Sequence, residues 1–78
     1  MIIRKAKTIT RRPFAVLDIG TSKISCLIAE ADGNGGARLL GQGTHASAGI
    51  RNGEVSDLDA LSHAIGKTVQ AAERDAGI

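Results

Sequence analysis

The sequence predicts a mixed α/β fold in which three antiparallel strands precede one long helix, an α+β arrangement within this chain. Two apolar runs, 14–19 and 23–31, are typical of strands and lie close together in the sequence. A third strand candidate follows the glycine-rich turn 32–36. From 58 to 76, apolar residues recur every three or four positions, which is the period of an amphipathic helix. The short connections between the strands favour an antiparallel sheet.

The first two strand candidates differ in their side-chain patterns. Residues 14–19 are apolar apart from one acid, as expected for a strand that is buried on both faces. In the run 23–31, the apolar side chains of Ile24, Cys26 and Ile28 alternate with a mixed set. We therefore expect these three side chains to share a buried face.

The third strand candidate runs from Arg38 to about Gln42. Gly41 and Gly43 lie at its far end, where glycine either weakens a strand or allows another backbone to approach closely. The segment that follows, 45–55, is rich in Gly, Ser and Asn and predicts a loop.

The helix has sequence signals at both ends. Ser56 is the expected N-cap, and Asp59 lies where a capping box carries its acid. Gly77 predicts the C-terminal stop. Gly66 costs about 1 kcal/mol relative to alanine in mid-helix, so it marks either close packing or a weak point. The predicted apolar stripe consists of Leu58, Leu61, Ile65, Val69, Ala72 and Ala76.

Composition limits both the core and the cellular setting. Phe14 is the only aromatic residue, so the core must be built from aliphatic side chains. Cys26 is the only cysteine, which excludes an intramolecular disulfide and fits a reducing compartment. No apolar stretch is long enough to cross a bilayer, and charges follow Ile2 and Ile3 too soon for a signal peptide. We therefore expect a cytoplasmic protein.

Residues 1–12 form a basic segment without an acid. We expect a flexible tail here, with the folded part occupying residues 13–78. The positive charge suits weak attraction to anionic lipid or nucleic acid, but the lack of aromatic residues for base stacking argues against nucleic acid. A domain of this size is marginally stable, so we expect the natural core to continue beyond the chain.

The connection 18–22, Asp-Ile-Gly-Thr-Ser, is the candidate functional site. Gly20 would let a ligand approach the backbone, and Thr21 and Ser22 would add hydroxyl donors to exposed backbone N–H groups. Asp18 would supply a hard oxygen ligand for Mg²⁺, directly or through water. The spacing matches neither a Walker A loop nor a GxGxxG turn before a helix. On residue types alone, an ordinary hairpin turn with local Thr and Ser hydrogen bonds is the alternative.

Two segments carry a resemblance to known proteins. Residues 14–24, Phe-Ala-Val-Leu-Asp-Ile-Gly-Thr-Ser-Lys-Ile, resemble the first phosphate motif of the superfamily of actin, heat-shock chaperone ATPases and sugar kinases. Residues 47–57, Ser-Ala-Gly-Ile-Arg-Asn-Gly-Glu-Val-Ser-Asp, and the helix after them are similar to the FtsA family of bacterial cell-division proteins. That family often shows Ser-x-Gly-[Ile/Val]-x-x-Gly, a hydrophobic residue and an acid before this helix. The resemblance covers 14–78.

The resemblance implies a fold, a cofactor and partners. Residues 13–78 would be the first, incomplete part of an actin-like, ribonuclease H-like ATPase subdomain. The full-length family binds ATP with Mg²⁺, has at most weak ATPase activity, and forms polymers of itself. It links the FtsZ ring and other division proteins to the inner membrane through a C-terminal helix, to which nothing in this sequence corresponds. We expect this fragment to be inactive by itself.

The same resemblance implies roles for five residues. Asp18 would stand near the Mg²⁺ and its waters, while Gly20, Thr21 and Ser22 would contact the nucleotide phosphates. Lys23 is a weaker candidate, which would either reach a phosphate or point to solvent. No residue of the chain is expected to be catalytic.

Two other interpretations stay open at this point. The chain could come from a different ATPase of the superfamily, such as a sugar kinase or a chaperone-like protein. It could also be a small interaction module without a nucleotide, in which case these residues should unfold cooperatively without any further chain.

Overall fold

The computed structural model describes residues 2–5 and 13–78. Within these residues, an antiparallel sheet has the strand order β1-β2-β3-β4, a short separate ribbon pairs β5 with β6, and a helix covers one face of the sheet. The elements are β1 (Ile2–Lys5), β2 (Pro13–Ile19), β3 (Lys23–Ala31), β4 (Ala37–Ala46), β5 (Ile50–Arg51), β6 (Glu54–Val55) and α1 (Leu58–Ala76). The predicted order of antiparallel strands followed by a long helix is confirmed.

Strand β1 lies in the segment that the sequence predicted to be a tail. Ile2 pairs opposite Asp18 and Lys5 opposite Ala15, so β1 extends the sheet along the edge of β2. The expectation of a flexible tail is therefore wrong for this strand. Two isoleucines before a run of charges are too short a pattern to predict a strand from sequence. The strand forms because the free N–H and C=O groups at the edge of β2 offer hydrogen-bond partners. Residues 1 and 6–12 lie outside the described residues.

Strand β4 is longer than predicted and contains an irregularity. Ile28 lies opposite Gly41, but its neighbour Ala29 lies opposite Leu39, so the register shifts by one residue. This shift leaves Leu40 as the extra residue of a β-bulge. Leu40 packs against the buried core, so the bulge adds an aliphatic side chain to the face that α1 covers.

The two glycines of β4 explain how closely α1 lies on the sheet. A methyl group at Gly41 would be 2.5 Å from the backbone nitrogen of Ala76, and one at Gly43 would be 2.5 Å from that of Ala72. Real Cβ atoms do not approach other atoms so closely. The second of the two predicted roles for these glycines, a close approach by another backbone, is therefore confirmed.

The core beneath the helix is aliphatic, as the composition requires. Ile24, Cys26 and Ile28 are buried together on one face of β3, which confirms the predicted alternation. Burial raises the pKa of the Cys26 thiol, and the Glu73 carboxylate raises it further, so Cys26 is a protonated core residue at neutral pH. In the described part of the chain, one buried cluster contains Ile19, Ile24, Leu61 and Ala64, and another contains Cys26, Ile28 and Ala72.

The buried side of α1 overlaps the predicted stripe, since Ile65, Val69 and Ala76 pack half-buried against the core, but it is centred on a partly different set of residues. The fully buried helix residues are Leu61, Ala64, Thr68 and Ala72. Leu58 is 67% exposed, although the apolar period included it. Small residues of α1, Thr68, Ala72 and Ala76, lie where the helix approaches Gly41 and Gly43 of β4. A methyl group added at Gly66 would have no neighbouring atom within 4 Å, so this glycine is a weak point rather than a packing device.

The start of α1 is shifted by one residue from the prediction. Asp57, not Ser56, is the N-cap, and its Oδ1 accepts a hydrogen bond from the Ala60 backbone N–H at 3.0 Å. The Gly49 carbonyl accepts hydrogen bonds from the N–H groups of both Ser56 and Asp57, which holds Ser56 in the segment before the helix. Asp59 is consequently in the first turn but is not the acid of a capping box.

The end of α1 and the connection before it complete the fold. Gly77 has a φ of 78° and caps the helix as predicted, with its N–H donating to the Arg74 carbonyl. The predicted loop 45–55 contains the ribbon of β5 and β6. Its turn is Asn52-Gly53, with φ values of 53° and 79°, which is the positive-φ pair that a tight hairpin favours. Among the described residues, no helix is both long and apolar enough to cross a bilayer.

Candidate functional site

The β2–β3 hairpin ends in a short connection that stands on the core. Ile19 lies opposite Ile24 at the last pair of the ladder, and both side chains are buried. The Gly20 N–H donates to the Lys23 carbonyl at 3.0 Å, so two residues lie between the bonded positions. The connection is therefore held in place by a packed aliphatic pair directly beneath it.

The structure brings all five predicted site residues to this end of the sheet. Asp18, Thr21, Ser22 and Lys23 are exposed, and Gly20 is half-buried. Because side chains alternate along a strand and Ile19 faces α1, Asp18 projects from the opposite face of the sheet. Four exposed polar side chains thus lie within three residues of a half-buried glycine.

The tightness of the turn at Gly20 limits what can replace the glycine. A methyl group at this position would lie 3.1 Å from the Lys23 carbonyl oxygen, which is closer than an ordinary van der Waals contact. A larger side chain would both strain the turn and cover the backbone N–H groups. Glycine therefore keeps this backbone open to a ligand.

The polar side chains of the connection are not used within the described part of the fold. Among the described residues, the Thr21 and Ser22 hydroxyls and the Asp18 carboxylate make no hydrogen bond. The alternative of an ordinary turn predicted local bonds from Thr21 and Ser22. Within the described part of the chain those bonds are not formed, so the hydroxyls are free for an external acceptor.

The β3–β4 turn shows the contrasting arrangement. There the Asp32 carboxylate accepts hydrogen bonds from the backbone N–H groups of Asn34 at 2.7 Å and Gly36 at 3.1 Å. The acid satisfies the backbone of its own turn, as is common for aspartate in turns. A ligand at the β3–β4 turn would have to displace these bonds between backbone N–H groups and a side chain. Among the described residues, the connection at 20–23 has no such bonds.

Ser47 is a neighbour of the site that sequence reasoning did not assign to it. Its backbone N–H donates to the Ser22 carbonyl at 3.0 Å, one step beyond the Lys23–Ala46 pair of the β3–β4 ladder. Its hydroxyl oxygen is buried and has no hydrogen-bond partner among the described residues. The available signal was that Ser47 opens the Ser-x-Gly pattern at 47–49.

The charges at the site suit a metal ion that arrives with its ligand. The described residues contain no group of three His, Cys, Asp or Glu side chains that could enclose a metal ion. Asp18 would supply one oxygen ligand, and the remaining ligands would come from water and from phosphate oxygens. Mg²⁺ commonly binds in this way, through one or two carboxylates plus substrate phosphates, so the residues present fit a magnesium–polyphosphate ligand.

Comparison with known proteins identifies the family. The cell division protein FtsA of Pseudomonas aeruginosa is 36% identical over 61 residues, which are 78% of this chain and 15% of that protein. The FtsA proteins of Streptococcus pneumoniae and Neisseria meningitidis are 40% and 41% identical over 83% and 81% of the chain. This chain belongs to the FtsA family. The resemblance to the FtsA family is thereby confirmed.

The FtsA relatives are much longer than this chain. The chain spans 14% of the Streptococcus pneumoniae protein and 15% of the Neisseria meningitidis protein. It therefore corresponds to a fragment of an FtsA protein. No protein-family model matches the sequence.

Proposed function

We propose that this chain supplies the first phosphate-binding hairpin of an ATP-binding FtsA protein. The observation that carries the proposal is the connection at 20–23, whose exposed side-chain hydroxyls have no partner among the described residues while its base is fixed by the buried pair Ile19–Ile24. Fixed, unpaired donors are what an anion-binding site requires. Membership of the FtsA family supports the same assignment.

Each residue of the hairpin has a distinct part in the proposed site. Gly20 leaves room for the phosphate chain to reach the backbone N–H groups, and Thr21 and Ser22 donate their hydroxyls to phosphate oxygens. Lys23, exposed at the start of β3, balances phosphate charge from the side. Asp18 holds the Mg²⁺ directly or through its waters. When bound, Mg–ATP supplies a cation to face the Asp18 carboxylate and phosphate anions to face the Lys23 ammonium group.

The cellular role extends the proposal from the hairpin to the whole protein. The relatives are named cell division proteins, which supports a role in cell division with partners in the division machinery. We further propose that the full-length protein polymerises and links the FtsZ ring to the cytoplasmic face of the inner membrane. In that setting the hairpin would couple the nucleotide to the conformation of the polymer-forming protein, with slow hydrolysis at most.

Calorimetric titration of the full-length gene product with Mg–ATP tests the site. Gly20→Val should weaken binding by tenfold or more, because it covers the backbone donors, and Asp18→Ala should weaken it by about tenfold, because it removes a metal contact. Asp32→Ala, the same change in the β3–β4 turn, is the matched control and should leave the affinity unchanged. Wild-type affinity in both site variants would refute the assignment.

One observation favours the second candidate, a small interaction module. Leu27 and Leu39 are 41% and 54% exposed on the sheet face away from α1, and such a face can receive a partner. An independent module should unfold cooperatively as a monomer of these 78 residues. We expect a poorly packed or oligomerising species instead, because an apolar sheet face without cover rarely persists in water. A sharp thermal transition in a monomeric sample would favour the module.

A further inference from the structure

The side-chain hydroxyl of Ser47 is buried without a hydrogen-bond partner in the described part of the fold. The hydroxyl of Thr68, which is also buried, donates to the Ala64 carbonyl at 2.8 Å. Burying a hydroxyl without a partner is unfavourable, so native proteins rarely retain one without a reason.

The position of Ser47 relates this hydroxyl to the hairpin. The Ser47 N–H donates to the Ser22 carbonyl at 3.0 Å, so the two residues are neighbours across the end of the β3–β4 ladder. Ser22 is one of the exposed residues proposed to contact phosphate. Ser47 therefore lies beside the proposed anion site, at about the spacing of two neighbouring strands from Ser22, although the two residues are 25 positions apart in sequence.

The backbone around Ser47 is held from both sides. On one side, the Ser22 carbonyl accepts a hydrogen bond from the Ser47 N–H. On the other side, the carbonyl of Gly49 accepts hydrogen bonds from the two N–H groups of 56–57, just before α1. The φ of Gly49 is 79°, a conformation that glycine adopts without strain. The backbone of 47–49 is thus fixed between the hairpin and the helix, and rotation about the Ser47 χ1 angle is the remaining freedom of its side chain.

We propose that Ser47 is a further phosphate-binding residue of this site. When a nucleotide occupies the hairpin, the Ser47 side chain turns between staggered rotamers, and its hydroxyl donates to an oxygen of the phosphate chain. The ligand then provides the partner that the ligand-free fold lacks. This inference rests on the proposed function of the hairpin and adds to it a donor from the β4–β5 connection.

The test compares Ser47→Ala with Ser62→Ala, a matched change at an exposed helix serine, in the full-length gene product. Binding of Mg–ATP and of Mg–tripolyphosphate is measured by calorimetry, and the ligand-free melting temperature by thermal unfolding. Ser47→Ala should weaken both ligands about tenfold, the value of one hydrogen bond to a charged group, while the ligand-free melting temperature stays equal or rises. Ser62→Ala should change neither.

The opposite pattern would overturn the inference. If Ser47→Ala lowers the ligand-free melting temperature and leaves both affinities unchanged, the hydroxyl is structural, while weak binding by Gly20→Val would still uphold the hairpin. If the wild-type protein binds neither ligand, the proposed function fails and this inference fails with it. Should the alanine variant prove insoluble, Ser47→Cys keeps the side-chain shape with a somewhat larger atom, and the same tenfold loss is expected because a thiol is a weak donor.

Discussion

The contact between α1 and β4 and the hairpin connection at 20–23 use glycine for opposite purposes. At the contact, Gly41 and Gly43 let two backbones meet, and the N–H of Gln42 between them donates to the Asp75 carboxylate at 2.9 Å. At the connection, Gly20 keeps a backbone accessible, and the neighbouring polar side chains have no partner in the described part of the chain. The first region provides stability, whereas the unpaired side chains of the second are what the proposed ligand site requires.

Substituting a glycine of the helix contact should have the largest effect on stability. A side chain at Gly43 would meet the Ala72 backbone nitrogen at 2.5 Å, so Gly43→Val would force α1 away from the sheet. We expect a loss of about 3 kcal/mol in the free energy of unfolding, at the upper end for overpacking. Denaturant unfolding of the purified protein measures it. A loss below about 1 kcal/mol, the lower end for overpacking, would show that α1 does not lie against β4 as described.

Removing the cap of α1 should have an intermediate effect. Asp57→Ala deletes the acceptor for the Ala60 N–H and should cost about 1 kcal/mol. Ser56→Ala is the matched control and should change stability much less, since Ser56 lies before the cap. The same unfolding measurement compares the two. Equal losses in both variants would contradict the assignment of Asp57 as the N-cap.

A substitution on the exposed side of α1 should raise the free energy of unfolding rather than lower it. A methyl group added at Gly66 would meet open space, so Gly66→Ala should stabilise the protein by roughly 1 kcal/mol. The gain comes from the lower backbone entropy of alanine in the unfolded chain and its better helix propensity. A higher denaturation midpoint with an unchanged slope is the expected result. Destabilisation would mean that another part of the protein packs against this position.

The smallest stability effects should occur at the hairpin connection. Thr21→Ala and Ser22→Ala remove exposed hydroxyls that have no partner among the described residues, so each should change the free energy of unfolding by no more than about 0.5 kcal/mol. Both should nevertheless weaken Mg–ATP binding. A stability loss above about 1 kcal/mol without a change in affinity would reassign these hydroxyls to the fold and remove the contrast between the two regions.

Local patterns predicted the elements of this fold well where the physical cause was local. The alternation of Ile24, Cys26 and Ile28 predicted the buried face of β3, and Gly77 predicted the end of α1. Strand β1 and the ribbon of β5 and β6 were missed, because elements of two to four residues depend on a partner rather than on their own periodicity.

The candidate site divides in the same way. The residue types at 18–23 predicted an exposed, polar hairpin because glycine and hydroxyl residues between two apolar runs leave few other arrangements. The Ser-x-Gly pattern contains Ser47, but its neighbours in sequence could not relate it to Ser22, since that relation arises from strand pairing across 25 positions. The N-cap is Asp57 rather than Ser56 for a similar reason. The Gly49 carbonyl, seven positions before Ser56 in sequence, accepts hydrogen bonds from the N–H groups of both residues.

The sequence by itself determined the order of the three strands β2 to β4 and the helix, the aliphatic nature of the core, the FtsA resemblance and the residues of the hairpin connection. These properties follow from side-chain period and residue chemistry, which are local. Only the tertiary structure decided which residues of α1 are covered most fully, which of two roles Gly41 and Gly43 have, and that Ser47 adjoins the hairpin. Those outcomes depend on distances between segments far apart in the chain, and the close approach of α1 to β4 sets most of them.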